Sequence, residues 1–184
     1  MKKIFLSIVI TASFLIPSTI QAQSPIDKVF EKYAGQERFT SVNISKEMFQ
    51  MFQQMANEKN DSMARQVKSM MDNLSSLKIL TYAIDSTRMV KAVSIYNEFA
   101  GLFPPALYKE LMTVNEGREY YKFLTKMNAG GKISEMVMLM KGRREVMVLS
   151  LIGTIDLNSL SKLSKGMNIK GMENLEKIKE KKGK

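Results

Sequence analysis

The stretch Glu145–Ile155, EVMVLSLIGTI, decides the fold. From Val146 onward its apolar side chains occupy both alternating faces, which is typical of a strand buried on both sides in the middle of a sheet. Gly153 interrupts the run, and a glycine inside a strand indicates a bulge or the close approach of another backbone. The sequence therefore predicts a central, nearly two-sided buried strand here.

Turn signals before this strand predict a meander of hairpins. Asn128–Gly131 separates a predicted strand over Glu119–Met127 from one over Lys132–Met140. Lys141–Arg144 then turns the chain into the central strand. Tyr108–Val114 is predicted as a further strand, with a helical turn as the alternative. The second half of the chain is thus expected to be antiparallel.

The first half alternates between helical and extended patterns. Short β-prone runs predict two strands, at Phe39–Ile44 and Leu77–Ile84. Helical spacing predicts four helices. One is capped by Ser24 and closed by Gly35, one is capped by Ser45, one runs from Met63 to Leu74 and ends at Ser75 and Ser76, and one runs from Asp85 or Ser86 to Gly101. Early helices and strands followed by a meander indicate an α+β fold. We expect an antiparallel sheet of about six strands, helices packed on one face, and short helices after the meander.

The first 22 residues have the pattern of a secretory signal peptide. Lys2 and Lys3 precede the uncharged run Ile4–Ile16, and Pro17 and Ala22 follow it. The apolar run is shorter than the roughly 18 residues that a membrane-spanning helix needs. The sequence predicts cleavage near Ala22 and a protein that is periplasmic or secreted.

The composition excludes several kinds of chemistry. The 184 residues include no cysteine, no histidine and no tryptophan. Disulfides, thiolate or histidine metal sites, and nucleophiles activated by histidine are therefore impossible. Carboxylates, lysine, tyrosine and serine remain as reactive groups.

The C-terminal segment is more basic than the rest of the chain. The formal net charge is +10, and residues 165–184 contribute seven lysines against three glutamates. We expect a single α+β domain over residues 23–164 and a lysine-rich tail or short helix over residues 165–184. Such a tail is typical of a solvated helix end, and in an exported protein it also fits an anionic membrane or polysaccharide surface. Nucleic acid is not an expected partner.

Methionine is unusually frequent, with 16 residues. Met48, Met51 and Met55 share much of one helix face, while Met136, Met138 and Met140 alternate along one strand. Thioethers suit Cu(I), but methionine also fills irregular core space. Packing is the favoured interpretation, because the histidine or tryptophan that usually accompanies such copper sites does not occur here.

Other motifs give little support for catalysis. Glu135 stands on an apolar strand, and Asp156 is more simply the N-cap of a following helix. Ser75–Lys78 and Ser159–Lys162 match Ser-x-x-Lys without the partner motifs that a serine nucleophile needs. Asn128–Lys132 is glycine-rich before a lysine but is interpreted as a hairpin turn rather than a phosphate loop. No catalytic, cofactor-binding or metal-ligating residue is assigned.

Three stretches resemble a known family: Phe39–Phe49, Gly130–Val137 and Gly153–Leu157, with Ser161–Leu163 following the last. The family is catalogued as domain of unknown function 4252, exported proteins of Bacteroidetes, and the resemblance covers essentially the whole mature chain. The resemblance implies an envelope location, but it implies no activity, ligand or catalytic residue. Because members of the family are encoded near sigma-factor and anti-sigma genes, the resemblance also implies an association with envelope stress.

Three hypotheses for function follow. The leading one is a non-enzymatic binding or interaction module of the envelope, with an envelope protein as partner, which predicts an exposed apolar patch larger than roughly 400–600 Å². The second is association with anionic lipid or polysaccharide through the basic tail. The third, an enzyme that uses carboxylate, tyrosine or lysine groups, predicts a cleft of about 300–1,000 Å³ lined by an acid with a perturbed pKa.

Overall fold

The computed structural model describes residues 24–56, 68, 71–85 and 89–156. The helices in this part are α1 Ile26–Tyr33, α2 Lys46–Ala56 and α3 Met89–Gly101. The strands are β1 Phe39–Ser45, β2 Leu74–Ala83, β3 Lys109–Glu116, β4 Glu119–Met127, β5 Ile133–Lys141 and β6 Glu145–Ile155. These bounds confirm the predicted strands to within three residues.

The six strands form one antiparallel sheet in the order β1-β2-β6-β5-β4-β3. The last strand in sequence, β6, lies between β2 and β5, and most of its side chains are buried on both faces. The predicted central strand is therefore confirmed, as are the antiparallel meander and the α+β class. The chain crosses from β2 to β3 through α3 and leaves β1 and β3 as the two edges.

Side chains on opposite faces of the sheet form two separate cores. On one face α1 and α3 pack through Ile26, Val29, Ile95 and Phe99 against apolar side chains of β2, β4, β5 and β6. On the other face, Phe49 of α2 joins a cluster rich in methionine. Helices α1 and α3 thus share one face as expected, whereas α2 lies on the opposite one.

Gly153 marks a close approach of two backbones, as predicted. Opposite it, the β2–β6 register shifts between Leu74 and Ser76, and the Thr154 N–H donates to the Asn73 carbonyl oxygen at 2.8 Å. A Cβ on Gly153 would collide with that same oxygen and lie 2.8 Å from the Leu74 Cα. Only glycine fits at this position.

Two predictions at the ends of elements are wrong. Leu74, Ser75 and Ser76 belong to β2 rather than to the end of a helix, because pairing with β6 overrides the helical spacing of the sequence. Ser24 does not cap α1 with its side chain: Pro25 occupies the N-cap position, and the Ser24 hydroxyl donates to Glu135 instead.

Some predictions lie outside the described residues: the signal peptide, most of the predicted helix 63–74, the helices after the meander and the lysine-rich tail. Among the helices that are described, none combines the length and the apolar character needed to cross a membrane.

Candidate functional site

An open groove runs along α3 on the face that this helix covers. It consists of two cavities, of about 740 and 930 Å³. The first lies against Tyr96 and Ala100 of α3, and the second against Met89, Ala92 and Val93 nearer the start of that helix. We call the two together the α3 groove.

The opposite wall of the groove comes from two turns at the same end of the sheet. Gly117 and Arg118 connect β3 to β4, and residues 142–144 connect β5 to β6. Tyr120 pairs with Lys141 across β4 and β5, so the two turns are neighbours. Arg118, Glu119 and Lys141 line both cavities, which makes the groove continuous.

Positive charge predominates in the groove. Its walls carry five cations, Arg118, Lys122, Lys141, Arg143 and Arg144, against three acids, Asp85, Glu110 and Glu119. Each acid already has a partner in the protein: Arg38 for Asp85 at 2.7 Å, Lys122 for Glu110 at 3.2 Å, and the Tyr121 hydroxyl for Glu119. Within the described part of the chain, Arg118, Arg143 and Arg144 are exposed and form no salt bridge.

Two tyrosines form an aromatic wall beside these cations. The rings of Tyr96 and Tyr120 meet edge to face with centroids 6.1 Å apart, and the Lys141 ammonium lies 5.2 Å from the Tyr96 ring centroid. Burial and the neighbouring Tyr120 raise the pKa of Tyr96 well above its usual value. Its phenol therefore keeps its proton at neutral pH and can donate a hydrogen bond.

The acid Glu110 is poorly suited to proton transfer. Hydrogen bonds from Thr113 and Lys122 hold the pKa of Glu110 below its usual value. A general acid at neutral pH needs the opposite shift, and a carboxylate of lowered pKa is also a weak base. A cleft of the size that an enzyme requires is present, but the direction of this pKa shift makes Glu110 itself a poor general acid or base.

The predicted acid Glu135 lies behind the groove rather than in it. It is 4% exposed and accepts three hydroxyl hydrogen bonds, from Tyr108 at 2.7 Å, Ser150 at 2.7 Å and Ser24 at 2.9 Å. Tyr108 also lines the first cavity. Burial, together with the bond to Glu135, raises the pKa of Tyr108. Glu135 thus joins Ser24, two residues before α1, to Tyr108 in the loop after α3, which is a structural role.

Removing the Tyr108 hydroxyl tests this network. Tyr108→Phe deletes one hydrogen bond to a buried carboxylate, so we expect it to lower the free energy of unfolding by about 2 kcal/mol. Tyr82→Phe is the matched control, because the Tyr82 hydroxyl is buried without a hydrogen-bond partner in the described structure. That control should be neutral or slightly stabilising in urea unfolding. Equal losses in both variants would contradict the assigned role of Glu135.

The remaining predicted positions fall in ordinary structure. The loop Asn128–Lys132 is a hairpin turn, as interpreted, in which the Asn128 side chain accepts from the N–H groups of Gly130 and Lys132, both at 3.0 Å. Lys78 of the first Ser-x-x-Lys motif forms an ion pair with Asp27. Asp156 is exposed, and both the helix that it was predicted to cap and the second Ser-x-x-Lys motif lie outside the described residues.

Methionines of the two predicted groups have different surroundings. Met136, Met138 and Met140 are fully buried in the core that Phe49 joins, whereas Met48 and Met51 are exposed on α2. The side chain of Met55, the third member of the helical group, is outside the described part of the structure. In the described ranges no group of three or more acidic side chains is placed to hold a metal ion. The alternating methionines of β5 are thus part of the core.

Sequence reasoning missed the α3 groove. Its residues come from α3 and the loop after it, from β3, β4 and β5, from two turns and from the segment after β2, and none of these carries a recognisable motif. The sequence signal that was available is the concentration of arginine in two turns, at Arg118 and at Arg143 and Arg144.

Comparison with known proteins identifies the family alone. No curated protein matches the chain. No solved structure matches it either. A family model described as "Domain of unknown function (DUF4252)" matches residues 33–163, which is most of the chain and includes every strand and both walls of the groove. The predicted family is confirmed: the chain belongs to the DUF4252 family.

Proposed function

We propose that the protein is an exported, non-enzymatic binding module of the cell envelope, and that the α3 groove holds an anionic polysaccharide. The observation that carries this proposal is the convergence of Arg118, Lys141, Arg143 and Arg144 on one continuous groove whose acids are already paired. These four cations have no carboxylate partner among the residues that the structure describes, so they are available to a carboxylate or sulfate of a ligand.

The shape and the aromatic wall support a chain of sugar rings as the ligand. The groove is open and runs through two adjoining cavities, which suits a polymer better than an enclosed small molecule. Tyr96 and Tyr120 offer apolar ring surface with a polar tip, a combination that contacts both the face and the hydroxyls of a sugar. The lowered pKa of Glu110 supports binding without catalysis, since that carboxylate stays ionised and paired with Lys122.

The expected export of the chain favours a ligand that occurs in the cell envelope. The first 22 residues have the order expected of a signal peptide, and the family resemblance implies the same compartment. An exported chain meets carboxylated or sulfated polysaccharides at the cell surface, so the sign of the charge in the groove agrees with the proposed location.

A titration with an oligogalacturonate tests the proposal. We expect binding to change the tyrosine fluorescence, which no tryptophan obscures in this chain, and to weaken as salt rises. The double variant Arg143→Ser, Arg144→Ser should bind about tenfold more weakly, which corresponds to about 1.4 kcal/mol. Both arginines are exposed, so the fold should be unaffected.

Lys132→Ser is the matched control, because it removes an exposed cation from the β4–β5 turn at the opposite end of the sheet. This variant should bind within twofold of the original. A malto-oligosaccharide of the same length, which carries no charge, should bind much more weakly. Equal binding of both sugars, or an unchanged affinity in the arginine variant, would overturn the assignment of the groove.

A further inference from the structure

Exposed apolar side chains cluster at the start of α3. Met89, Val90 and Val93 are 59%, 85% and 48% exposed. Residues three or four positions apart share one face of a helix, so Val93 stands next to both Met89 and Val90. The three side chains therefore form one apolar patch, which we call the α3 tip. A side chain as exposed as that of Val90 projects from the surface rather than lining a depression.

The α3 tip adjoins the most cationic part of the α3 groove. Met89 and Val93 line the second cavity. The opposite wall of that cavity contains Arg143 and Arg144, which are both exposed. The Ile84 N–H donates to the Arg144 carbonyl oxygen at 2.7 Å, and this bond holds the β5–β6 turn against the chain just after β2. Apolar and cationic side chains thus face the same space.

An apolar projection beside unpaired cations fits the surface of an anionic bilayer. Apolar side chains enter the boundary between headgroups and acyl chains, while arginines stay among the headgroups and pair with their anions. Within the residues that the structure describes, Arg143 and Arg144 form no salt bridge, so their charge is available. A protein partner fits less well, because a stable interface takes about 20–30 residues a side and three projecting side chains make too small a core.

We propose that the anionic polysaccharide of the α3 groove is bound as a glycolipid, at the surface of the bilayer that anchors it. The sugar rings lie against Tyr96 and Tyr120, the arginines pair with acidic groups near the lipid, and the α3 tip enters the outer part of the acyl layer. The order of these groups along the groove supports the arrangement. The two tyrosines line the first cavity, whereas Arg143, Arg144 and the α3 tip belong to the second. This inference rests on the function proposed above and adds the membrane-anchored form of the ligand.

A tryptophan at position 90 reports whether the α3 tip enters a bilayer, since the chain has no tryptophan of its own. The protein is produced with its own first 22 residues so that any processing takes place. The ligand is one oligogalacturonate, either free in solution or coupled through its reducing end to a dialkylglycerol in phosphatidylcholine vesicles. With these vesicles the emission of Val90→Trp should move to shorter wavelength, and brominated phosphatidylcholine should quench it. The free oligosaccharide should not shift the emission.

Met51→Trp is the matched control, because position 51 is 56% exposed on α2, which covers the other face of the sheet. Its emission should be the same with and without vesicles. Equal shifts at positions 90 and 51 would overturn the proposal, since attraction of the basic tail alone gives the domain no preferred face. A shift at position 90 that appears without vesicles as the protein concentration rises would also overturn it, and would assign the α3 tip to a second copy of the chain.

Binding affinities distinguish the role of the α3 tip from that of the groove. Val90→Ser removes an apolar side chain that lines neither cavity, so the affinity for free oligogalacturonate should be unchanged. The affinity for the glycolipid vesicles should fall about tenfold, as expected when one valine side chain no longer leaves water. Unchanged vesicle binding by this variant would reject the role of the α3 tip and keep that of the groove. No binding of the original protein to the free oligosaccharide would reject the function of the groove, and the glycolipid with it.

Discussion

Gly153→Ala is expected to lower the free energy of unfolding by about 4 kcal/mol. Its methyl group would collide with the Asn73 carbonyl oxygen and lie 2.8 Å from the Leu74 Cα, and both are backbone atoms that cannot rotate away. The φ of +155° adds strain for any residue with a Cβ. Overpacking and backbone strain each cost about 1–3 kcal/mol, and the hydrogen bond from Thr154 to Asn73 would weaken as well.

Gly101→Ala is the matched control for this substitution. Gly101 ends α3, and a Cβ there would meet no atom within 4 Å. Alanine is also the better helix former, so the change in the free energy of unfolding should stay within about 0.5 kcal/mol and can be stabilising. Urea unfolding followed by far-UV circular dichroism measures both variants. A loss below about 1 kcal/mol at Gly153 would contradict the close approach of β6 to the residues before β2.

Met138→Ala is the second substitution with a large expected effect. Met138 is fully buried on β5, opposite Phe123 of β4 and Leu149 of β6, and both neighbours are fully buried too. Truncation removes apolar contacts on both sides and leaves a cavity that the sheet cannot close. We expect a loss of about 3 kcal/mol, within the range of about 2–5 kcal/mol seen for such changes.

Met138→Leu separates packing from metal binding at the same position. Leucine has nearly the volume of methionine, so a packing role predicts a loss below about 1.5 kcal/mol. A thioether ligand would behave differently: Cu(I) would raise the melting temperature of the original protein and leave that of Met138→Leu unchanged. Thermal unfolding of both proteins with and without Cu(I) decides between the two, and we expect no difference between them.

Elements whose side chains are mostly buried could be predicted from the sequence most fully. The apolar run of β6 specified its central place, and Gly153 specified the close approach, because both features are local and have a single physical solution. The hairpins of β4, β5 and β6 followed from turn residues for the same reason. Ser24 could not be predicted correctly: its acceptor, Glu135, lies 111 positions away.

The side of the sheet that each helix covers also depends on distant contacts. Phe49 on α2 and Phe99 on α3 each belong to an apolar helix face of similar periodicity, yet the two residues pack into different cores on opposite faces of the sheet. The α3 groove has the same origin. Arg118 lies in one cavity with Tyr96, and Arg143 in one with Val93, only because the crossover from β2 to β3 lays α3 across the hairpins. Nothing in the local sequence of these residues predicts that.

Because β6 is the last strand to be synthesised but lies in the middle of the sheet, it determines when the sheet can be completed during synthesis. Strand β2 pairs only with β1 and β6, so the first half of the sheet has no partner on its inner side until residues 145–155 have emerged. The hairpins of β3, β4 and β5 can form early, but the two halves join only when β6 arrives between them. Completion of the sheet therefore waits until residues 145–155 have been made, which keeps the nascent chain open until late in its synthesis.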